Sequence, residues 1–273
     1  MGSSRSQTIA SQSSVKLAQF RANFRAHFRA LPLAIAILAA SALPVSAHQP
    51  VILATESARI EASPVLVEGS ISFAVTANFT KSGERRYFRF ALRDGEALKL
   101  EYLILDRRPE NNLKSTQLPL VTVISPSGKK SNLTINERTK FYEPFGRQNY
   151  LFLSRVNRVG ESGIYTVELR SRTKGSVLIA VGSREIRGEV MQISDTSGSC
   201  PKKIKEELEV SDKRASQLIG LSERAGEICA LMNGWDYRVV QRDGEDFAVT
   251  MDYRSNRVNV KVKLDKIFEV SVG

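Results

Sequence analysis

"GERRYFRFALRDGEALKLEYLIL" occupies residues 83–105, and both of its halves carry apolar side chains at every second position. Phe88, Phe90 and Leu92 fall in phase in the first half, and Leu98, Leu100, Tyr102 and Ile104 in the second. Successive side chains of a strand point to opposite faces, so each half predicts a strand with one apolar face, with turn chemistry between the two. The pattern continues outward. "LVTVISPSGKK" (120–130) reads as a strand ending in a Pro-Ser-Gly turn, and "GIYTVELRSRTKGSVLIAV" (163–181) as strand, turn and strand with Tyr165, Val167 and Leu169 in phase. No helical period interrupts Ile71 to Val181. Half-polar, half-apolar strands at this spacing predict an all-β sandwich of two antiparallel sheets, jelly-roll-like, over residues 68–188.

Residues 1–47 hold five basic side chains (Arg5, Lys16, Arg21, Arg25, Arg29), no acid, and an apolar run from Leu31 to Leu43. The run is shorter than the ~20 residues that span a bilayer, and Val45 and Ala47 stand at the small-residue positions of a cleavage site. That combination predicts a signal peptide cleaved after Ala47, and a secreted or periplasmic protein with no transmembrane anchor. The Arg-rich "FRANFRAHFRA" would also suit an organelle transit peptide, but such peptides lack the apolar core. Of 40 basic and 29 acidic residues, 35 basic ones remain past Ala47, an excess of 6. They are scattered in doublets such as Arg85-Arg86 and Lys129-Lys130, which argues against a nucleic-acid arm.

Two cysteines, Cys200 and Cys229, and two histidines, His27 and His48, complete the inventory. An even cysteine pair in an oxidising compartment is more often a disulfide than two thiols. His27 lies in the signal and His48 would be an exposed N-terminus. A Ser-His or Cys-His nucleophile needs an internal histidine, and a catalytic zinc site needs two or three. The sequence thus points to a non-enzyme without metal or cofactor. Paired carboxylates could run glycoside chemistry, but nothing in the sequence pairs them.

Past the sandwich, residues 189–199 are rich in small and turn-forming residues and read as a linker. "PKKIKEELEV" (201–210) predicts a short helix, with Pro201 in its first turn and Ile204 and Leu208 on one side. "LSERAGEICALMNG" (221–234) predicts a firmer one. Ser222 is its N-cap, Ala225, Ile228, Cys229 and Met232 its apolar stripe, and Asn233-Gly234 its stop. Trp235 and Met232 are expected in the core. Three strands follow, in "WDYRVVQRD", "RVNVKV" and "IFEVSV", with a long polar connection over residues 243–256 between the first two.

Two resemblances sharpen these expectations. "GERRYFRFALRDGEALKLEY", "LVTVISPSGK" and "GIYTVELRS" resemble the bacterial pre-peptidase C-terminal domain, which implies an accessory role for residues 68–188. The "LIG" at 218–220, the helix after it, "VTMDYRSNRVNV" and the terminal "VG" resemble the potato inhibitor I family of serine-protease inhibitors over residues 200–273, most closely its small bacterial and fungal members. The resemblance implies a small α+β domain with an exposed reactive loop of Val249, Thr250, Met251, Asp252 and Tyr253, whose scissile bond is Met251–Asp252. It also implies loop support from Arg257 and Arg254, and a serine protease of chymotrypsin-, elastase- or subtilisin-like type as partner. Asn259 stands where plant members have a second supporting arginine, and Val272 where the small relatives have a cysteine. Cys200 therefore either pairs with Cys229 or stays free. The expected chain is a signal peptide (1–47), an N-terminal segment (48–67), a sandwich (68–188), a linker (189–199) and an inhibitor-like domain (200–273). A competing expectation is a secreted or envelope binding protein whose sandwich contacts a polysaccharide or protein and whose C-terminal unit does not inhibit.

Overall fold

Arg85–Leu92 (β4) and Ala97–Leu105 (β5) are strands, but they lie in different sheets, so the turn between them is a crossover between layers. The protein is described here from a computed structural model covering residues 48–273; the expected signal peptide lies outside the described residues. Sheet A contains Gln49–Leu53 (β1), Phe73–Phe79 (β3), β5, Thr139–Glu143 (β8), Gln148–Val159 (β9) and Gly175–Val181 (β11). Its order is β1-β3-β11-β5-β9-β8. Sheet B contains Val65–Leu66 (β2), β4, Leu120–Ile124 (β6), Lys130–Asn132 (β7), Gly163–Arg170 (β10) and Val190–Met191 (β12), in the order β12-β2-β4-β10-β6-β7.

The expected all-antiparallel pairing is corrected at two places: β1 runs parallel to β3, and β2 runs parallel to β4. Both parallel partners come from residues 48–67, outside the predicted sandwich. A strand added from an extended N-terminal segment joins by long connections, so no hairpin forces it to be antiparallel. Between the sheets lies one apolar core. Phe73 and Tyr102 of sheet A and Phe88, Phe90 and Tyr165 of sheet B are fully buried in it, and Phe90 stacks on Tyr165 at 5.0 Å between centroids. The Tyr102 hydroxyl meets its partner inside, donating to the Pro119 carbonyl at 2.9 Å, which removes the cost of a buried unpaired hydroxyl.

β4 departs from simple alternation, because Tyr87, Arg89 and Ala91 are buried along with the inward residues. A second core covers that outer face. It gathers Val65, Val67, Ala91 and Met191 of the sandwich with Ala225, Ile228, Cys229, Trp235, Val258 and Val260 from the C-terminal part. Arg89 is trapped beneath it, donating to the Ser63 hydroxyl at 3.1 Å and the Ser63 carbonyl at 2.9 Å. Burial pushes its guanidinium down to about 10, still cationic at neutral pH. Segment 189–199 is fastened as well: β12 pairs with β2, and the Cys200 amide donates to the Gln192 carbonyl.

The C-terminal part holds Asp212–Ala215 (α1), Glu223–Asn233 (α2), Asp236–Arg242 (β13), Glu245–Asp246 (β14), Arg257–Lys263 (β15) and Lys266–Val272 (β16). The Ser222 side chain accepts from the Ala225 amide, and Gly234 closes α2 in the left-handed conformation at φ 82°. Cys200 and Cys229 are bonded, with Cα atoms 5.5 Å apart, tying the entry of this part to the middle of α2. The helix predicted over 201–210 is absent. Ile204 and Leu208 are exposed, so the apolar stripe it relied on has nothing to pack against. Glu207 instead turns inward, accepting from the Trp235 indole at 2.9 Å and pairing with Arg214 at 2.7 Å.

Candidate functional site

β13 and β15 pair in parallel, with Asp236 opposite Arg257 and Arg242 opposite Val262. A chain leaving β13 must therefore travel back along the whole strand before it can start β15, roughly 20 Å at ~3.3 Å per residue. Asp243 and Gly244, at φ 51° and 89°, first turn the chain into the short strand β14. Residues 247–256 then make the return journey, with no helix, strand pairing or turn before residue 255. Residues 242–254 are all exposed, and Met251 at the centre is 99% exposed. Met251 does not stand alone: Phe247, Val249 and Tyr253 are exposed with it, and a run of exposed apolar side chains marks a contact surface more than a single one does.

The segment is fixed from beneath by polar contacts. Asp252 is their hub. The Thr250 hydroxyl donates to its Oδ1, Arg254 Nε to its Oδ2 at 2.9 Å, and Arg257 Nη1 to the same oxygen at 3.1 Å. These three contacts, the Thr250 hydroxyl first, hold the Asp252 carboxyl far below the ordinary carboxylate range. Arg257 Nη2 also donates to the Asp252 backbone carbonyl, while its Nε donates to the Gly273 oxygen at 2.7 Å. One guanidinium, only 7% exposed, thus links the loop, β15 and the end of β16. Arg254 reaches onward to Asp236 at 3.3 Å.

Asn259 is in the site, but one step removed from the loop. Its amide donates to the Gly273 oxygen at 2.6 Å, and its carbonyl accepts from Arg238 Nε at 2.8 Å. Arg238, on β13, then donates through Nη1 to the Thr250 carbonyl at 3.2 Å and lies 3.8 Å from Asp252 Oδ1. The sequence reading missed Arg238. It sought loop supports only on the strand after the loop, whereas parallel pairing puts Arg238 directly beside Asn259. The register of β13 against β15 is the signal that finds it. Tyr253 is held differently: its ring lies over Gly273, where an added Cβ would stand 2.9 Å from the ring.

Val249, Met251 and Tyr253 thus face solvent, while Thr250 and Asp252 face the arginines. Alternate side chains outward and inward is the geometry of a strand offered to a partner's edge. His48, expected as an exposed terminus, is half-buried instead and hydrogen-bonds to the Ser72 hydroxyl, because β1 carries it against sheet A. No protein-family model matches the chain, and no curated protein matches it. Among solved structures it is similar to a family GH115 4-O-methyl-alpha-glucuronidase, BtGH115A, with specificity for decorated arabinogalactans. The two are 13% identical with a TM-score of 0.26, over 47% of this chain and 16% of that one. The alignment spans less than a fifth of that enzyme, and at this level it carries no inference about fold or chemistry.

Proposed function

We propose that this chain is a secreted or periplasmic serine-protease inhibitor that presents the Met251–Asp252 bond to a chymotrypsin-, elastase- or subtilisin-like enzyme, with residues 200–273 forming a potato-inhibitor-I-like unit on a sandwich. A single observation supports it above all: Met251 stands fully in water while Thr250 and Asp252 on either side of it are each tied to guanidinium groups. A protease binds substrate as an extended strand and fills one pocket with the side chain before the cleaved bond. A loop already held by such contacts avoids the ordering cost that a flexible peptide meets on binding. The apolar, unbranched Met251 suits a hydrophobic pocket.

The clamp also explains inhibition rather than digestion. After attack on the Met251 carbonyl, the leaving group is the Asp252 amine. Arg257 holds both the carbonyl and the carboxylate of that residue. The amine stays beside the acyl-enzyme and recombines faster than water arrives. Charge-assisted bonds of this kind are roughly twice as strong as neutral ones.

Incubation of the intact protein with a panel of serine proteases tests the proposal. The intact protein is needed because the second core borrows Val65, Val67, Ala91 and Met191 from the sandwich. Stoichiometric inhibition of an apolar-specific protease, moved to trypsin-like enzymes by Met251→Lys, is the expected result. Prompt cleavage at Met251 without inhibition, or an inhibitory profile unchanged by Met251→Lys, would reject it.

A further inference from the structure

The side of the sandwich away from the second core carries a cleft of about 250 Å³ on the outer face of sheet A. Its floor is small and aliphatic, formed by outward positions such as Ala74, Leu178 and Ala180. One wall is aromatic: Phe141 of β8, Phe145 of the following turn, and Tyr150 and Phe152 of β9. Phe141 and Phe152 stand 5.1 Å apart between centroids, tilted by 42°. Among the described residues the lining holds two carboxylates, Glu101 and Glu143, and no lysine or arginine. In a chain with 40 basic and 29 acidic residues that is a local reversal of charge.

The two carboxylates are held in different ways. Glu143 accepts from the backbone amides of Phe145 at 2.8 Å and of Gly146, which fixes it at the rim. Its charge, after burial, raises the Tyr150 phenol, so this ring keeps its proton and its neutral face. Glu101 accepts no hydrogen bond among the described residues. Arg155, its partner across the β5–β9 ladder, is already engaged by Glu137 through Nε at 2.8 Å and Nη2 at 2.6 Å. Glu101 therefore shares a single guanidinium with Glu137, and that guanidinium also lies over the Phe152 ring at 4.6 Å.

We infer that this cleft binds a small organic ammonium ion, its apolar body on the aliphatic floor and its cationic head among the rings of Phe141, Phe145 and Tyr150 and the carboxylates of Glu101 and Glu143. Ring faces attract cations, most strongly where water is excluded, and nearby carboxylates add to that attraction. The lining offers few groups for a neutral sugar, whose recognition needs many hydrogen bonds around each ring. A cavity of this size fits a head with a short alkyl or aryl body, larger than the ~150 Å³ that accommodates benzene. The site is separate from the loop, so its fate is independent of the inhibitor proposal.

Choline and its uncharged isostere 3,3-dimethyl-1-butanol, titrated into the intact protein by NMR, provide the test. Choline is expected to shift the resonances of Glu101 and residues 141–152, with the isostere at least about tenfold weaker. Glu101→Gln, at a half-exposed position that leaves the core untouched, is expected to weaken choline about three- to tenfold. Equal binding of the isostere would overturn the inference in favour of a purely apolar cleft. Displacement of choline by a neutral oligosaccharide would overturn it in favour of a glycan face, and absence of any shift at tens of millimolar choline would end it.

Discussion

The interior of the sandwich and the loop above β13 and β15 are ordered by opposite means. In the sandwich, Phe73, Phe88, Phe90 and Tyr165 are completely buried, and order comes from apolar area removed from water. In the loop, Phe247, Val249, Met251 and Tyr253 are all exposed, and order comes from a few directed bonds to Thr250 and Asp252. The first kind of order cannot be lost without unfolding the molecule. The second can be lost alone, since little else depends on it. A binding segment gains from that separation: it can be rigid without contributing its own side chains to the core.

The largest expected effect therefore lies far from the loop. Phe90→Ala removes a ring stacked on Tyr165 at the centre of the first core. It should cost about 3–5 kcal/mol in urea unfolding. Because sheet B also supports the second core through Val65 and Ala91, both parts should unfold in one weakened transition. Two separate transitions would show that the two cores are independent.

Arg257→Ala tests the other side. It strips donors from the Asp252 and Gly273 oxygens, and should cost about 1–3 kcal/mol globally. The main change should appear in the loop, as faster hydrogen exchange at residues 247–254 and rapid proteolysis at Met251. Arg238→Ala should do the same more mildly, at about 0.5–1.5 kcal/mol, because Arg254 and Arg257 still hold Asp252. Combined with Asn259→Ala it should be less than additive, since Arg238 and Asn259 share one hydrogen bond. If Arg257→Ala loosens core and loop equally, the loop is not a separately ordered element.

Five strands of the sandwich, β4, β5, β6, β10 and β11, are legible in the sequence because apolar residues alternate along them, whereas β8 and the ends of β9 bury too few side chains to stand out. The pattern hides which strands share a sheet, so the crossover between β4 and β5 and the parallel strands β1 and β2 were not readable. α2 was readable in detail because Ser222, its apolar stripe and Gly234 agree with one another. The segment 201–210 had a stripe but no partner surface. Its outcome was decided by the distant Trp235 and Arg214, which draw Glu207 inward. In the candidate site, pattern alone gave a polar connection, and Thr250, Met251, Asp252 and Arg257 were singled out only through the resemblance to potato inhibitor I. Arg238 could not be, since its role comes from the register of a parallel pair and no local pattern encodes register.

The smallest expected effect separates the two regions by acid. On the sandwich, Glu137 is lowered to about 2, chiefly by its hydrogen bonds from Arg155 and then from Thr139. In the loop, Asp252 lies lower still, held by Thr250, Arg254 and Arg257. Both carboxyls have depressed values, so each contact is fully present above the ordinary carboxylate range near pH 4 and is lost as pH falls through the depressed value. The loop should stay clamped at pH 4, and carboxyl NMR should show Glu137 titrating near 2 with Asp252 protonating after it. Both groups are partly solvent-exposed, so about 1 M salt should bring both midpoints closer to normal. An Asp252 midpoint near 4 at low salt would mean that the guanidinium groups do not grip the loop in solution, and Met251 would then be simply a side chain on a loose strand.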